Sequence, residues 1–415
     1  MPKNITSVEW QALDIPPGLA FDQATGTFTG TPGEAGDFTV PVTVTTNYGT
    51  DTKDVMITIE ESEKEWKTIR GGSGVYTHKC IDLGGELLFF GNVSQSLYGH
   101  GLFFSYNPNT KQFSESLSLL TGEPVTSDHG DDNDRFYNCA IDPVTKKWIA
   151  IFGSYIRTPE GVKQFEDDNI NFYSVICCGS PVLQKFCAIG RYNDECTSYI
   201  FDINGNLIGK NAYDDNGLSP AAMRVDFNRI WSSPNVICWS NSLNKFFVIL
   251  RTAPDTTPTW IAYSNGGLIW NKYIFQNASG VLPCFITEMN DYLLAACGLS
   301  YSGNKGISAS SSISKSTDGY NFEAIKTISG YIPSGDIFNG VAYSQDKNTL
   351  CMIGEYASTF ITTDLINYTI KRLPISNHAI APDCGVIWSD TIKSFIVIPG
   401  SHAAREGQTF YTLHL

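Results

Sequence analysis

Between residues 79 and 400 one pattern occurs seven times: a short apolar run, a polar turn, and a second apolar run usually closed by glycine. The copies are KCIDLGGELLFFG (79–91), NCAIDPVTKKWIAIFG (138–153), VICCGSPVLQKFCAIG (175–190), VICWSNSLNKFFVIL (236–250), PCFITEMNDYLLAACG (283–298), VAYSQDKNTLCMIG (341–354) and VIWSDTIKSFIVIPG (386–400). Each reads as a β-hairpin. With Cys80, Cys139, Cys177, Cys238, Cys284, Val341 and Ile387 as reference points, the copies stand 38 to 61 residues apart, about 51 on average. A repeat of that length with several strands per unit is the pattern of propeller blades. One hairpin cannot bury two apolar runs by itself, so each unit must stack on its neighbours, and a closed ring leaves no unit without one. The expected fold class is all-β, with a seven-bladed β-propeller over residues 63–415.

A second phrase recurs after the hairpin in three copies: Ser264-Asn265-Gly266-Gly267-Leu268-Ile269-Trp270, Ser316-Thr317-Asp318-Gly319-Tyr320-Asn321-Phe322 and Thr362-Thr363-Asp364-Leu365-Ile366-Asn367-Tyr368. A hydroxyl opens each turn and an aromatic ring follows six positions later, so the third strand doubles back and the ring anchors the fourth. The phrase resembles, in shortened form, the Asp-box of sialidase-like and BNR propellers. That resemblance implies a structural turn rather than a catalytic one.

The last repeat runs out at Thr409–Leu415 after three strands, whereas Glu65-Trp66-Lys67-Thr68-Ile69 reads as an orphan fourth strand. Residues 65–70 are therefore expected beside 409–415, closing the ring. Residues 1–62 are different. Alternation of Phe38, Val40, Val42 and Val44, and again of Val55, Ile57 and Ile59, predicts two strands with one buried face. Pro16-Pro17-Gly18-Leu19, Thr25-Gly26 and Gly30-Thr31-Pro32-Gly33 supply the turns. Over about 45 residues this run resembles the cadherin-like Ig modules of bacterial surface proteins and phage structural proteins, which implies a β-sandwich. Such modules begin with an extra strand before the PPGL segment. Here either Ile5–Leu13 forms that strand, or the sandwich has an open edge for a partner. The acidic stretch Glu60–Glu65 reads as a short linker.

The net charge of −14 comes with only 28 Lys and Arg residues and no basic cluster, which argues against nucleic acid as a partner. The opening MPKNITSVEW has no apolar run, and nowhere do eighteen apolar residues follow one another, so neither an ordinary export signal nor a membrane span is expected. The eleven cysteines are odd in number, and Cys80, Cys139, Cys177, Cys187, Cys238, Cys284, Cys297 and Cys351 fall inside apolar strand patterns. That use of Cys as a small hydrophobe predicts folding in a reducing cytoplasm, without a disulfide framework. A surface-type module on a chain that folds in the cytoplasm is what a tailed-bacteriophage virion protein would look like, since particles assemble inside the host and leave by lysis.

Candidate chemistry is sparse. Asp128, Asp131, Asp132 and Asp134 form the densest acidic segment and are the candidate ligands for calcium, although their spacing is not that of an EF-hand loop; no other cofactor is expected. A sialidase would need a carboxylate pair and an arginine cluster. Arg135, Arg157, Arg191, Arg224 and Arg251 are spaced over successive blades and are the candidates to converge on the axial mouth, but the Arg-Ile-Pro signature is missing and only Arg229-Ile230-Trp231 approaches it. The six histidines show no metal-binding spacing, and neither a GxSxG elbow nor a phosphate-binding loop occurs. Ser94–Gly99, Tyr155, Tyr192, Tyr213 and Tyr301 place rings beside polar groups, as glycan-binding faces do, and packing between blades is the competing role. The expected function is a non-enzymatic virion component. Its Ig-like domain would hold it to other virion proteins, and its propeller would face a host-surface glycan or protein. A capsid decoration protein without a receptor and a sialidase-like glycoside hydrolase are the rivals.

Overall fold

The computed structural model describes residues 4–30, 32, 36–59, 65–71, 75–93, 100–125, 136–164, 175–192, 195–213, 219–220, 236–251, 259–275, 282–299, 312–327, 338–354, 357–374, 385–398 and 409–415. They are all β-structure and turns, in two compact units, Met1–Glu65 and Trp66–Leu415. Among the described residues no helix is long and apolar enough to cross a membrane.

In the first unit Gly36–Thr46 and Gly49–Ile59 form a long antiparallel ribbon, and Val8–Ala12 pairs with the outer side of Gly36–Thr46, placing Trp10 opposite Val44. A strand therefore does form within Ile5–Leu13, and the edges of this sheet are Val8–Ala12 and Gly49–Ile59. A second sheet pairs Leu19–Asp22 with Thr27–Gly30, and Phe21 meets Phe28 at a ring separation of 4.8 Å. The alternating apolar positions predict a buried face, and the burial found is shallower. Val40 is fully buried, Phe38, Val42 and Val44 are half-buried, and Val55 is 38% exposed. The facing sheet has only two four-residue strands, too little to cover eleven-residue ones.

The second unit consists, among the described residues, of seven antiparallel sheets. Blade 1 opens with Tyr76–Asp82, Leu87–Asn92 and Gly101–Asn107, blade 2 with Phe136–Ile141 and Trp148–Phe152, and blade 3 with Val175–Ser180 and Lys185–Tyr192. Blade 4 opens with Ile237–Ser240 and Lys245–Arg251, blade 5 with Leu282–Met289 and Tyr292–Leu299, blade 6 with Phe338–Ser344 and Thr349–Gly354, and blade 7 with Gly385–Ser389 and Ser394–Ile398. The first strand of each blade lies beside the first strand of the next, and that of blade 7 lies beside that of blade 1, so these strands form the inner wall of a ring. The ring is completed by Thr409–His414, whose free edge pairs with Lys67–Arg70: Thr409 faces Arg70 and Thr412 faces Lys67. Trp66, only 8% exposed, adds a bond from Nε1 to Thr359 Oγ1 of blade 6 at 3.0 Å.

The core lies between blades. Second strands such as Leu87–Asn92, Trp148–Phe152, Thr349–Gly354 and Ser394–Ile398 are buried at every position, because both faces of an inner strand meet a neighbouring blade. At the 7/1 junction Phe89 stacks on Phe104 at 5.2 Å and meets Phe410 at 4.8 Å. At the 1/2 junction Phe90 stacks on Phe136 at 5.4 Å, and Asn92 Oδ1 accepts the Phe136 N–H at 3.0 Å.

Candidate functional site

The turn between the first and second strands is one device used repeatedly. In six blades it opens with Asp82, Asp142, Ser180, Ser240, Ser344 or Ser389, five residues before its hydrogen-bonded partner. That side chain accepts a backbone N–H from within the turn: Leu183 N–H to Ser180 at 3.1 Å, Leu243 to Ser240 at 3.2 Å, Ile392 to Ser389 at 3.3 Å and Val144 to Asp142 at 2.8 Å. These are the local side-chain to backbone bonds that favour Ser and Asp in turns.

The same position also fastens neighbouring blades. Asp82 Oδ2 accepts the Ser389 hydroxyl at 2.7 Å and the Thr391 N–H at 3.0 Å, tying blade 1 to blade 7. Glu288 of blade 5 does the same to blade 4, accepting the Ser240 and Ser242 hydroxyls at 2.8 and 2.7 Å and the Asn241 N–H at 2.8 Å. Partial burial works against the Asp82 carboxylate, but bonds from Ser389, Thr391 and Gly84 outweigh it and lower its pKa. Asp142 holds the equivalent place in blade 2, where the preceding turn offers Gly84 instead of Thr391, and Asp142 Oδ2 is buried with no hydrogen-bond partner among the described residues.

These turns ring a cavity of about 890 Å³ on the propeller axis. Its wall carries Cys80, Cys139, Cys177, Cys178 and Cys238 with Ile, Ala and Val side chains from the inner strands. Burial pushes these thiols up, Cys139 to about 12, so they stay neutral; among the described lining residues, Lys79, whose ammonium draws the Cys139 and Cys177 thiols back down, and the Asp82 carboxylate bring charge to the inner strands. The rim is polar and aromatic. Tyr343, Gln345, Asp346, Trp388 and Asp390 stand on the side of blades 6 and 7, with Lys146 and Asn241 elsewhere on the rim. Trp388 is held by a bond from Nε1 to Asp390 Oδ1 at 3.0 Å and packs edge-on against Phe395 at 5.0 Å. Lys393 bridges Asp346 and Asp390 at 3.4 and 3.3 Å. Hydrogen bonding from the Ser344 hydroxyl is the main cause that holds the Asp346 carboxyl below its ordinary range.

The residues singled out in the sequence distribute as follows. Asp128, Asp131, Asp132 and Asp134 lie outside the described residues, as do Arg135, Arg224, Arg229–Trp231, Tyr301 and Ser94–Gly99; the side chains of Arg191, Arg251, Tyr192 and Tyr213 do too. Among the described residues no group of three or more His, Cys, Asp or Glu side chains could hold a metal ion. Arg157, one of the five candidates to converge on the axial mouth, lies elsewhere. Its guanidinium lies 4.7 Å over the Phe103 ring and donates to Leu119 O at 2.9 Å, clamping blade 2 to blade 1. Tyr155 likewise stacks on Phe152 at 5.6 Å, against the core between these blades. No arginine is among the described residues that line the cavity. The rim set escaped the sequence reading because it is assembled from blades 4, 6 and 7 and the start of the ring; its one sequence signal is the repeated aromatic before the turn serine, Trp239, Tyr343 and Trp388.

The recurring Asp-box-like phrases form the turns between third and fourth strands. Asp318 Oδ1 accepts the N–H groups of Tyr320 and Asn321 at 2.7 and 2.8 Å, and Asp364 Oδ1 accepts those of Ile366 and Asn367, both at 2.8 Å. Trp270 Nε1 donates to Ser198 Oγ of the preceding blade at 2.8 Å, so this phrase braces the ring periphery.

Residues 2–60 match the family model described as Putative Ig domain. The first unit is Ig-like. Among solved structures, the β-propeller domain of Myceliophteria thermophila Cps50 (Swd1) is similar at 10% identity and a TM-score of 0.49, covering 84% of this chain and 98% of that one. Chaetomium thermophilum Raptor is similar at 11% identity and a TM-score of 0.48, covering 85% of this chain and 30% of that one. No curated protein matches the chain.

Proposed function

We propose that this chain is an adhesive structural protein of a tailed-bacteriophage virion, anchored to the particle through its Ig-like unit and presenting its propeller for binding a host-surface glycan or protein. The observation that carries the reading is the pairing of an Ig-like module with seven described cysteines that are all free and mostly buried in strands. Such a chain folds where thiols stay reduced, yet carries a module of the surface type. Binding is favoured by the described mouth, whose rim sets the Trp388 ring beside the Gln345 amide and the Asp346 and Asp390 carboxylates. The test is immunogold labelling of intact particles from a lysate containing this protein. Label on a tail or fibre is expected; label over the head alone would mean a capsid decoration protein, and no label on any particle would defeat the virion reading.

A further inference from the structure

The axial cavity is divided in a way that specifies a ligand more narrowly than adhesion does. Its wall of neutral thiols and aliphatic groups, with Lys79 on the side of blade 1, accepts an uncharged, partly apolar substituent. Its rim on that side combines a half-buried indole, held in place through Asp390 and Phe395, with one exposed amide and two carboxylates. Trp388 and Lys393 both use Oδ1 of Asp390, which leaves Oδ2, together with the Gln345 amide, open to a ligand among the described residues. Planar acceptors and amides beside an aromatic face are the groups that read vicinal hydroxyls and the C–H face of a sugar ring. In this sector the ammoniums of Lys393 and Lys347 balance the carboxylates of Asp346 and Asp390, so no net positive charge is there to hold an acidic sugar.

Resting on the adhesive reading above, we propose that the axial mouth between blades 6 and 7 binds an uncharged glycan. A sugar ring lies against Trp388, its hydroxyls bond to Gln345 and Asp390, and a substituent points down toward the thiol wall. Sialylated and other anionic sugars find no net positive charge in this sector and are not preferred there.

The test is calorimetric titration of the full chain with an N-acetylglucosamine trimer, maltotriose and 3′-sialyllactose, repeated on Q345A, D390N and W388A. At least one neutral probe is expected to bind, with affinity falling about tenfold or more in D390N and Q345A, because each removes a hydrogen bond to ligand. Trp388 packs on Phe395, so W388A can disturb the blade; the two exposed substitutions keep the test independent of folding. Preference for 3′-sialyllactose, binding unchanged in D390N and Q345A, or failure of both neutral probes would each overturn the proposal. Adsorption of the full chain to host cells separates the two readings. If D390N and Q345A adsorb as well as the parent, adhesion stands and the mouth proposal falls; if neutral-sugar binding depends on these residues while no particle carries the protein, the reverse holds.

Discussion

In the propeller, inner strands such as Leu87–Asn92 and Thr349–Gly354 are buried at all positions, whereas in the sandwich the eleven-residue strand Gly49–Ile59 is exposed at every position but Ile57 and Ile59. Both regions are antiparallel β-structure with comparable strand pairing, so hydrogen-bonded ladders do not account for the difference. Closure does. A blade meets a neighbour on each face and the ring has no end, while the sandwich has one small facing sheet, and among its described residues only Pro16 and Val40 are buried. What remains to hold the ribbon is local: Thr43 with Thr52 at 2.9 Å, Thr45 with Thr50 at 3.2 Å, and Thr58 donating to Asp37 at 2.7 Å. Each such cross-strand pair contributes roughly 0.2–1 kcal/mol. A small domain built this way is marginal in isolation.

The comparison is most exposed at the 7/1 junction. Phe89→Ala removes a fully buried ring that meets Phe104 and Phe410, and is expected to destabilise the propeller by about 3–5 kcal/mol. Denaturant titration followed by tryptophan fluorescence checks it; a loss below about 1 kcal/mol would mean that the closing blade is not held by core packing. Next comes Gly319→Ala. Gly319 sits at φ +80°, and an added Cβ would lie 2.7 Å from Phe247 Cζ, so a cost of roughly 2–3 kcal/mol is expected in thermal melts. Leu365 holds the same turn position in blade 6 at φ 62° and tolerates it with a buried side chain, so Leu365→Gly is expected to lose burial rather than relieve strain. In the sandwich, Val40→Ala is expected to cost less in absolute terms, about 1.5–2 kcal/mol, but to unfold more of that unit's population. Hydrogen exchange of the Gly36–Thr46 amides, compared with those of the blades, reads it directly.

The repeat was legible because burial between blades forces apolar runs into both inner strands, and the turn residues Ser180, Ser240, Ser344 and Ser389 recur for a local reason that sequence displays. The shallow sandwich core was not legible. Alternation at Phe38, Val40, Val42 and Val44 states which face points inward, not how much covers it. Nor could spacing tell whether Arg157 faces the axis or the next blade, since that depends on which strand of the blade it occupies. The rim joins Trp388 and Asp390 to the start of the ring only after closure, a contact some three hundred residues long in sequence, as the Asp82–Ser389 bond illustrates.

That bond supplies the smallest effect and the finest contrast. Asp82 ties the first blade to the last, and its folded pKa lies below the unfolded value of 3.8. The stabilisation it contributes is therefore fully present above that value and is lost as the pH falls through the lower, folded one. Because the carboxylate is only partly buried, solvent screening reduces the hydrogen-bonding gain to about 1 kcal/mol. Asp82→Asn should remove that increment near neutral pH and have no effect in strong acid, where the wild-type carboxyl is already protonated. The corresponding change in the sandwich, Asp22→Asn, affects a carboxylate also held low, by Thr25 and the Ala24 N–H, but confined to one turn. Acid titrations of the two variants should thus differ in what they report. Loss of Asp82 shifts the unfolding midpoint of the whole ring, since the latch spans its seam, whereas loss of Asp22 is felt only within its hairpin. Equal shifts in both would show that ring closure does not depend on its polar seam.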